Sequence, residues 1–120
     1  MVAKLVAVRA DARGIPQSVL ETRLLRVLRH AHLPMPAVQH EIRTRRGRVV
    51  LDFAYLDKKI AIEADGFRWH SSRQQWDHDR VRANALTMLG WTVLRVTWTH
   101  LHDRPDEVIE AIRATLSSKG

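Results

Sequence analysis

The chain has 120 residues, enough for one domain with a real core and too few for two. Hydrophobic residues make up 45%, which excludes a disordered chain, and the lack of cysteine excludes disulfide frameworks and Cys-built zinc or redox sites. Twenty Lys+Arg stand against 13 Asp+Glu, a formal charge of +7 carried mostly by arginine. That balance favours a polyanionic partner, although a GC-rich genome also enriches arginine.

Residues 1–15 read as an N-terminal extension or linker stub, closing on Gly14-Ile15-Pro16. The first segment is too short and poorly flanked for a signal peptide, and no apolar run reaches the roughly 20 residues of a membrane span. A cytoplasmic setting is therefore expected. Residues 16–118 read as the folded domain.

Ser18-Val-Leu-Glu21 has the spacing of a capping box. Leu20, Leu24, Val27, Leu28 and Ala31 follow at helical period, and Pro34-Met-Pro36 predicts the end of that helix. Val38 to Thr44 reads as a strand, Arg45-Arg46-Gly47 as a hairpin turn, and Arg48 to Leu56 as a second strand. A tight turn at Asp57-Lys58 leads to a third strand, Lys59 to Ala64, and Gly66 opens a loop reaching Ser72. Arg73 to Leu89 reads as a second helix, with Ser72 as its cap and Gly90 just past its end. Trp91 to Trp98 reads as a largely apolar and so internal strand. Asp103 is the expected cap of a last helix, with Pro105 in its first turn and Val108, Ile109, Ile112 and Leu116 on one face. The order α-β-β-β-α-β-α predicts an α/β fold with a central mixed four-stranded sheet flanked by helices.

Two of these strands carry carboxylates where a buried strand should carry none. Asp52 interrupts Val50 to Phe53, and Glu63 and Asp65 interrupt Ile60 to Ala64 and its end. Buried charge without a partner costs several kcal/mol, so carboxylates converging from neighbouring strands point to a cation between them. In a basic chain, that ion suggests a phosphodiester substrate. For each acid the plainer reading is a salt bridge, or a turn at Asp65-Gly66.

The ordered blocks Ser18-Val-Leu-Glu21, Leu33 to Gln39, Val50 to Tyr55, Ala61 to Gly66, Trp69-His70, Asp79-Arg80 and Leu89 to Arg95 resemble the PD-(D/E)xK nuclease superfamily. More narrowly, they resemble its very-short-patch-repair-like endonucleases and the DUF559 group among them, over about residues 16–116. The resemblance implies a restriction-endonuclease-like fold and a Mg²⁺- or Mn²⁺-dependent DNA endonuclease. It implies Asp52 as main metal ligand, Glu63 and Asp65 flanking it, His70 orienting water or protonating the leaving oxygen, and Glu21 reaching in from the first helix. Asp79 and Trp69 would support the site, and Arg80 would sit on the phosphate or on Glu63.

Arg45, Arg46, Arg48, Arg68, Arg73 and Arg80 are candidates for the nucleic-acid backbone, duplex DNA first, with RNA still open. Phe67, Trp69 and Trp76 read as the roof of the active-site loop or as core packing rather than a base-stacking wedge, Trp91 and Trp98 as core, and His30, His32, His100 and His102 as solvated. The superfamily's lysine, two residues after the acid of the third strand, is replaced here by Asp65. That departure keeps open a nucleic-acid-binding module with weak or no catalysis. An effector part of a larger toxin–antitoxin-like or defence protein, with an upstream fused domain, is also open.

Overall fold

A computed structural model describes residues 16–65 and 73–119, with side chains described for 16–64 and 79–119. Helix α1 (Gln17–His30) is followed by strands β1 (Ala37–Thr44), β2 (Gly47–Tyr55) and β3 (Ile60–Asp65). Helix α2 (Arg73–Met88), strand β4 (Thr92–Thr97), the short helix α3 (Trp98–Asp103) and helix α4 (Pro105–Ser118) complete the order. The strands form one sheet in the order β1-β2-β3-β4. The first two pairings are antiparallel and β3–β4 is parallel, so α2 is the crossover between β3 and β4. The expected mixed four-stranded sheet with flanking helices is what the chain forms, with α3 as an addition.

Helix α1 buries Leu20, Leu24 and Leu28, the stripe that its period predicts. Its start differs from the capping-box reading: Pro16 occupies the cap without a side-chain bond, and Ser18 already lies in the first turn. At the other end His32 adopts φ 60, and the Leu33 amide returns to Leu28 O at 3.1 Å. That closure ends the helix before Pro34 is reached. Gly90 closes α2 in the same way with φ 87, sending the Trp91 amide to Leu86 O at 3.0 Å.

The last strand is not the internal strand its apolar run predicts: among the described residues it lies at the sheet edge, paired with β3 alone, and it stops one residue short of the expected Trp98. Thr97 turns the chain by capping α3, its hydroxyl accepting the His100 amide at 3.1 Å. Asp103 does not cap α4, because it ends α3 and sits against His102 at 3.0 Å; Arg104 is the residue before α4, and Pro105 takes its first turn. His100 and His102 are likewise engaged rather than merely solvated, with His100 3.0 Å from Glu107. His100 and Arg104 together hold the exposed Glu107 carboxyl below its usual range.

Two apolar layers sandwich the sheet. Phe53, Tyr55, Ile60, Ile62, Ala64 and Val96 pack under α1, α3 and α4 through Leu20, Leu24, Leu28, Leu101, Val108, Ile112 and Leu116. Leu51, Ala54 and Ala61 pack on the other face against Leu86 of α2, with Ile42, Val49, Trp91 and Val93 around them. Trp91 and Trp98 are partly buried at the margins of these layers. The Tyr55 hydroxyl donates to Pro34 O at 2.8 Å, and burial pushes the phenol up to about 12.

Strand β2 changes face at one residue. Val49 and Leu51 face α2, whereas Phe53 and Tyr55 face α1 and α4, although regular alternation would put all four together. The β1–β2 ladder runs through Val38↔Phe53 and His40↔Leu51 but skips the pair between them, Gln39 opposite Asp52. Gln39 holds φ 52, a left-handed conformation unusual for this residue. The distal half of the hairpin thereby turns its apolar side chains toward α2, and Asp52 sits at the bend. Among the described residues, no helix is long and apolar enough to cross a membrane.

Candidate active site

Strands β2 and β3 pair through Tyr55↔Ile60, Ala54↔Ala61 and Phe53↔Ile62. Beyond that point β2 continues along β1 as far as Gly47, and β3 continues along β4 as far as Asp65. The two strands therefore fork, and a fork between strands leaves backbone groups without ladder partners. Two carboxylates fill it. Glu63 Oε2 accepts the Asp52 amide at 3.2 Å, and Asp52 Oδ2 accepts the Ala64 amide at 2.9 Å. Each acid thus satisfies the strand that carries the other. Both are buried, Asp52 at 8% and Glu63 at 5% exposure.

Such burial of a charge calls for a counter-charge. Arg82 of α2 supplies it, its Nη2 lying 2.7 Å from Glu63 Oε1 and donating to Val50 O at 3.0 Å. One guanidinium ties the crossover helix to both arms of the fork. Arg80, read from the sequence as sitting on the phosphate or on Glu63, is exposed. Helical spacing explains the difference: Arg82 precedes the sheet-facing Leu86 by one turn, and Arg80 does not share that face.

Gln17 is the second residue the sequence reading passed over. Its side-chain amide donates to Ala64 O, so α1 is pinned to the end of β3, and Gln17 is buried. A polar residue one turn before Leu20 and two before Leu24, on the buried stripe of α1, is the signal that identifies it. Glu21 lies one turn further along the same helix face, half-buried. Gln17→Ala is expected to destabilise the protein by about 1–2 kcal/mol, because a buried carbonyl loses its donor. Chemical denaturation with an unchanged m-value checks it.

Asp65 extends β3 opposite Thr97, one strand step beyond Ala64. His70, Arg68 and Trp69 lie outside the described residues, as do Phe67 and the expected Ser72 cap, and so do the side chains of Arg73 and Trp76. Asp79 is half-buried on α2. Among the described residues, no group of three or more acidic or histidine side chains gathers as a metal cluster. What the described residues bring together is the Asp52–Glu63 pair.

The hairpin tip folds over α2. Arg45 and Arg46 face Val81, Asn84, Ala85, Met88 and Leu89 across a groove of about 480 Å³. Thr44 shapes the turn, its hydroxyl donating to Gly47 O at 2.8 Å and accepting the Arg46 amide at 3.0 Å. Arg48 is set apart from its neighbours by a cross-strand ion pair with Glu41 at 2.8 Å.

A homing endonuclease catalytic domain, that of I-Bth0305I, has a similar structure, with a TM-score of 0.64 and 25% identity over 83% of this chain and 95% of that domain. Two uncharacterized proteins of Mycobacterium tuberculosis, from strains CDC 1551 and H37Rv, are each 28% identical over 102 residues, or 84% of this chain. The chain spans 38% of the length of these relatives. The REase_MTES_1575 family model matches residues 17–116, from the helix that carries Gln17 to the end of the apolar face of α4. Family and neighbour agree with the PD-(D/E)xK-like resemblance and support a nuclease. The chain belongs to the REase_MTES_1575 family, a restriction-endonuclease-like family.

Proposed function

We propose that this chain is a metal-dependent DNA endonuclease domain whose reaction centre is the fork between β2 and β3. The observation that carries the reading is the pair of buried acids, Asp52 and Glu63, crossed over the fork by their backbone bonds. The donor set suits Mg²⁺ or Mn²⁺, since such an ion takes one or two carboxylates and completes its shell with water and substrate phosphate. Asp52 and Glu63 would hold it, with Asp65 as a third ligand. When bound, the ion supplies polarisation of the scissile phosphate and a lowered pKa for the attacking water.

The chain's own residues do the positioning. Crossed hydrogen bonds to Asp52 and Ala64 amides fix the two carboxylates, so little reorganisation is needed when charge develops. Glu21 orients water or a ligand from α1, and His70 exchanges the proton with the attacking water or the leaving oxygen. Asp79 and Trp69 support the site. The likeness to a homing endonuclease domain favours duplex DNA as the substrate. Residues 16–118 form the catalytic unit, preceded by residues 1–15 as an N-terminal extension or linker stub, within a cytoplasmic protein.

Arg45 and Arg46 at the hairpin tip grip the phosphate backbone, with Arg48, Arg68, Arg73 and Arg80 adding to the basic surface. Replacing Arg45 and Arg46 together by alanine is expected to weaken DNA binding uniformly across sequences. The slope of log K against log salt should then fall by about 2. Fluorescence anisotropy over a salt series measures it, and an unchanged slope removes the hairpin tip from the interface.

The experiment for the whole reading is a cleavage panel of duplex, mismatched and single-stranded DNA and RNA, each with Mg²⁺ or Mn²⁺. Cleavage of duplex DNA above the other substrates is the expected result. Preference for RNA would overturn the substrate assignment, and tight binding without cleavage of any substrate would favour a binding module.

A further inference from the structure

Glu63 has two roles to reconcile: it is a candidate ligand of a divalent ion, and it is the partner of Arg82. Both of its oxygens are engaged, Oε2 by the Asp52 amide at 3.2 Å and Oε1 by Arg82 at 2.7 Å. The guanidinium is held in place by a second bond, to Val50 O at 3.0 Å, and only about a quarter of its side chain is exposed. A divalent cation on Oε1 would meet that guanidinium at the same oxygen. Two positive centres that close repel strongly in a partly desolvated site.

We propose that Arg82 is the built-in counter-ion of the fork, which neutralises Glu63 in the metal-free protein and competes with the divalent cation for it. Arg82 is a positioning residue on this account, not one that touches the reacting atoms. The competition keeps two buried acids folded when no ion is bound, because an unpaired buried carboxylate would be strongly destabilising. It also sets the affinity of the site, since the ion must displace a hydrogen-bonded guanidinium to gain Glu63. Guanidinium cannot lose its proton at any ordinary pH, so the competitor is permanent and the ion wins only by concentration or by help from substrate phosphate. This inference rests on the metal reading of Asp52 and Glu63 given above.

The test is Mn²⁺ binding by calorimetry to the wild-type protein, Arg82→Met, Arg82→Gln and Asp52→Asn, all without DNA. Arg82→Met is expected to bind Mn²⁺ about tenfold more tightly than wild type. Arg82→Gln keeps hydrogen-bonding reach to Glu63 and Val50 without the charge, so it should shift affinity the same way even where Met disturbs folding. A merely structural Arg82 would make both variants bind Mn²⁺ equally or more weakly, and that result overturns the proposal while leaving the metal site standing. Binding to the Arg82 variants but not to wild type is the competition in its extreme form and supports it. Absence of Mn²⁺ binding in all four proteins overturns the metal reading and the proposal together.

Discussion

Asp52→Asn is expected to lower duplex cleavage about a thousandfold and leave the protein folded. The asparagine side chain keeps a carbonyl oxygen where Asp52 Oδ2 accepts the Ala64 amide at 2.9 Å, so the fork remains closed. The negative charge is lost and one acceptor oxygen becomes an NH2 donor, and with them goes the ligand that the bend in β2 presents. The buried pair also loses a like-charge repulsion, so thermal stability should stay level or rise slightly. Circular dichroism and a melting curve beside the cleavage rate separate these effects. A variant that cuts at the wild-type rate would show that the chemistry lies elsewhere, and a variant that fails to fold would show that Asp52 is chiefly structural.

Glu63→Ala should have the largest effect on stability. The substitution removes the acceptor of the Asp52 amide and strands Arg82, which then sits largely buried beside a void with only Val50 O as a remaining partner among the contacts described. Removing one partner of such a pair costs about 3 kcal/mol, the lower end for a buried pair because Arg82 retains some solvent. For a domain of this size that corresponds to a fall of about 10 °C in melting temperature. The double variant Glu63→Ala with Arg82→Met should recover part of it, since the guanidinium stranded by the loss of Glu63 is gone. A double variant as unstable as the sum of the two single ones would mean that the ion pair is not what stabilises the fork.

Much of this fold is legible in the sequence because local signals and burial agree. The stripe of α1, the Arg45-Arg46-Gly47 turn and Gly90 after α2 all appear where their residues predict, whereas the apolar run of β4 forms a strand at the sheet edge, because α3 and α4 cover its apolar side chains in place of a further strand. Departures occur where a distant contact decides. Ser18 loses the cap because Pro16 already starts the helix, and Thr97 cuts β4 short by capping α3. Asp52 and Glu63 stood out because charge inside a strand is costly, and both prove buried. Val50 beside them does not: it is 48% exposed, because the face change at Asp52 turns it outward. No period-two pattern foretells such a switch, since it depends on the left-handed Gln39 across the ladder. Arg82 and Gln17 were missed for another reason. A polar residue on a helix's buried stripe looks like noise until its partner on the sheet is known, and here both partners lie at the one fork.

The most direct test of the central claim follows supercoiled plasmid through nicked and linear forms, with wild-type protein and Asp52→Asn side by side, each in Mg²⁺ and in EDTA. Nicking or linearisation by wild type in Mg²⁺, with none in EDTA and none above background with Asp52→Asn, is the predicted outcome. Equal cleavage by both proteins, or wild-type cleavage that persists in EDTA, would contradict a metal-dependent centre at the fork of β2 and β3.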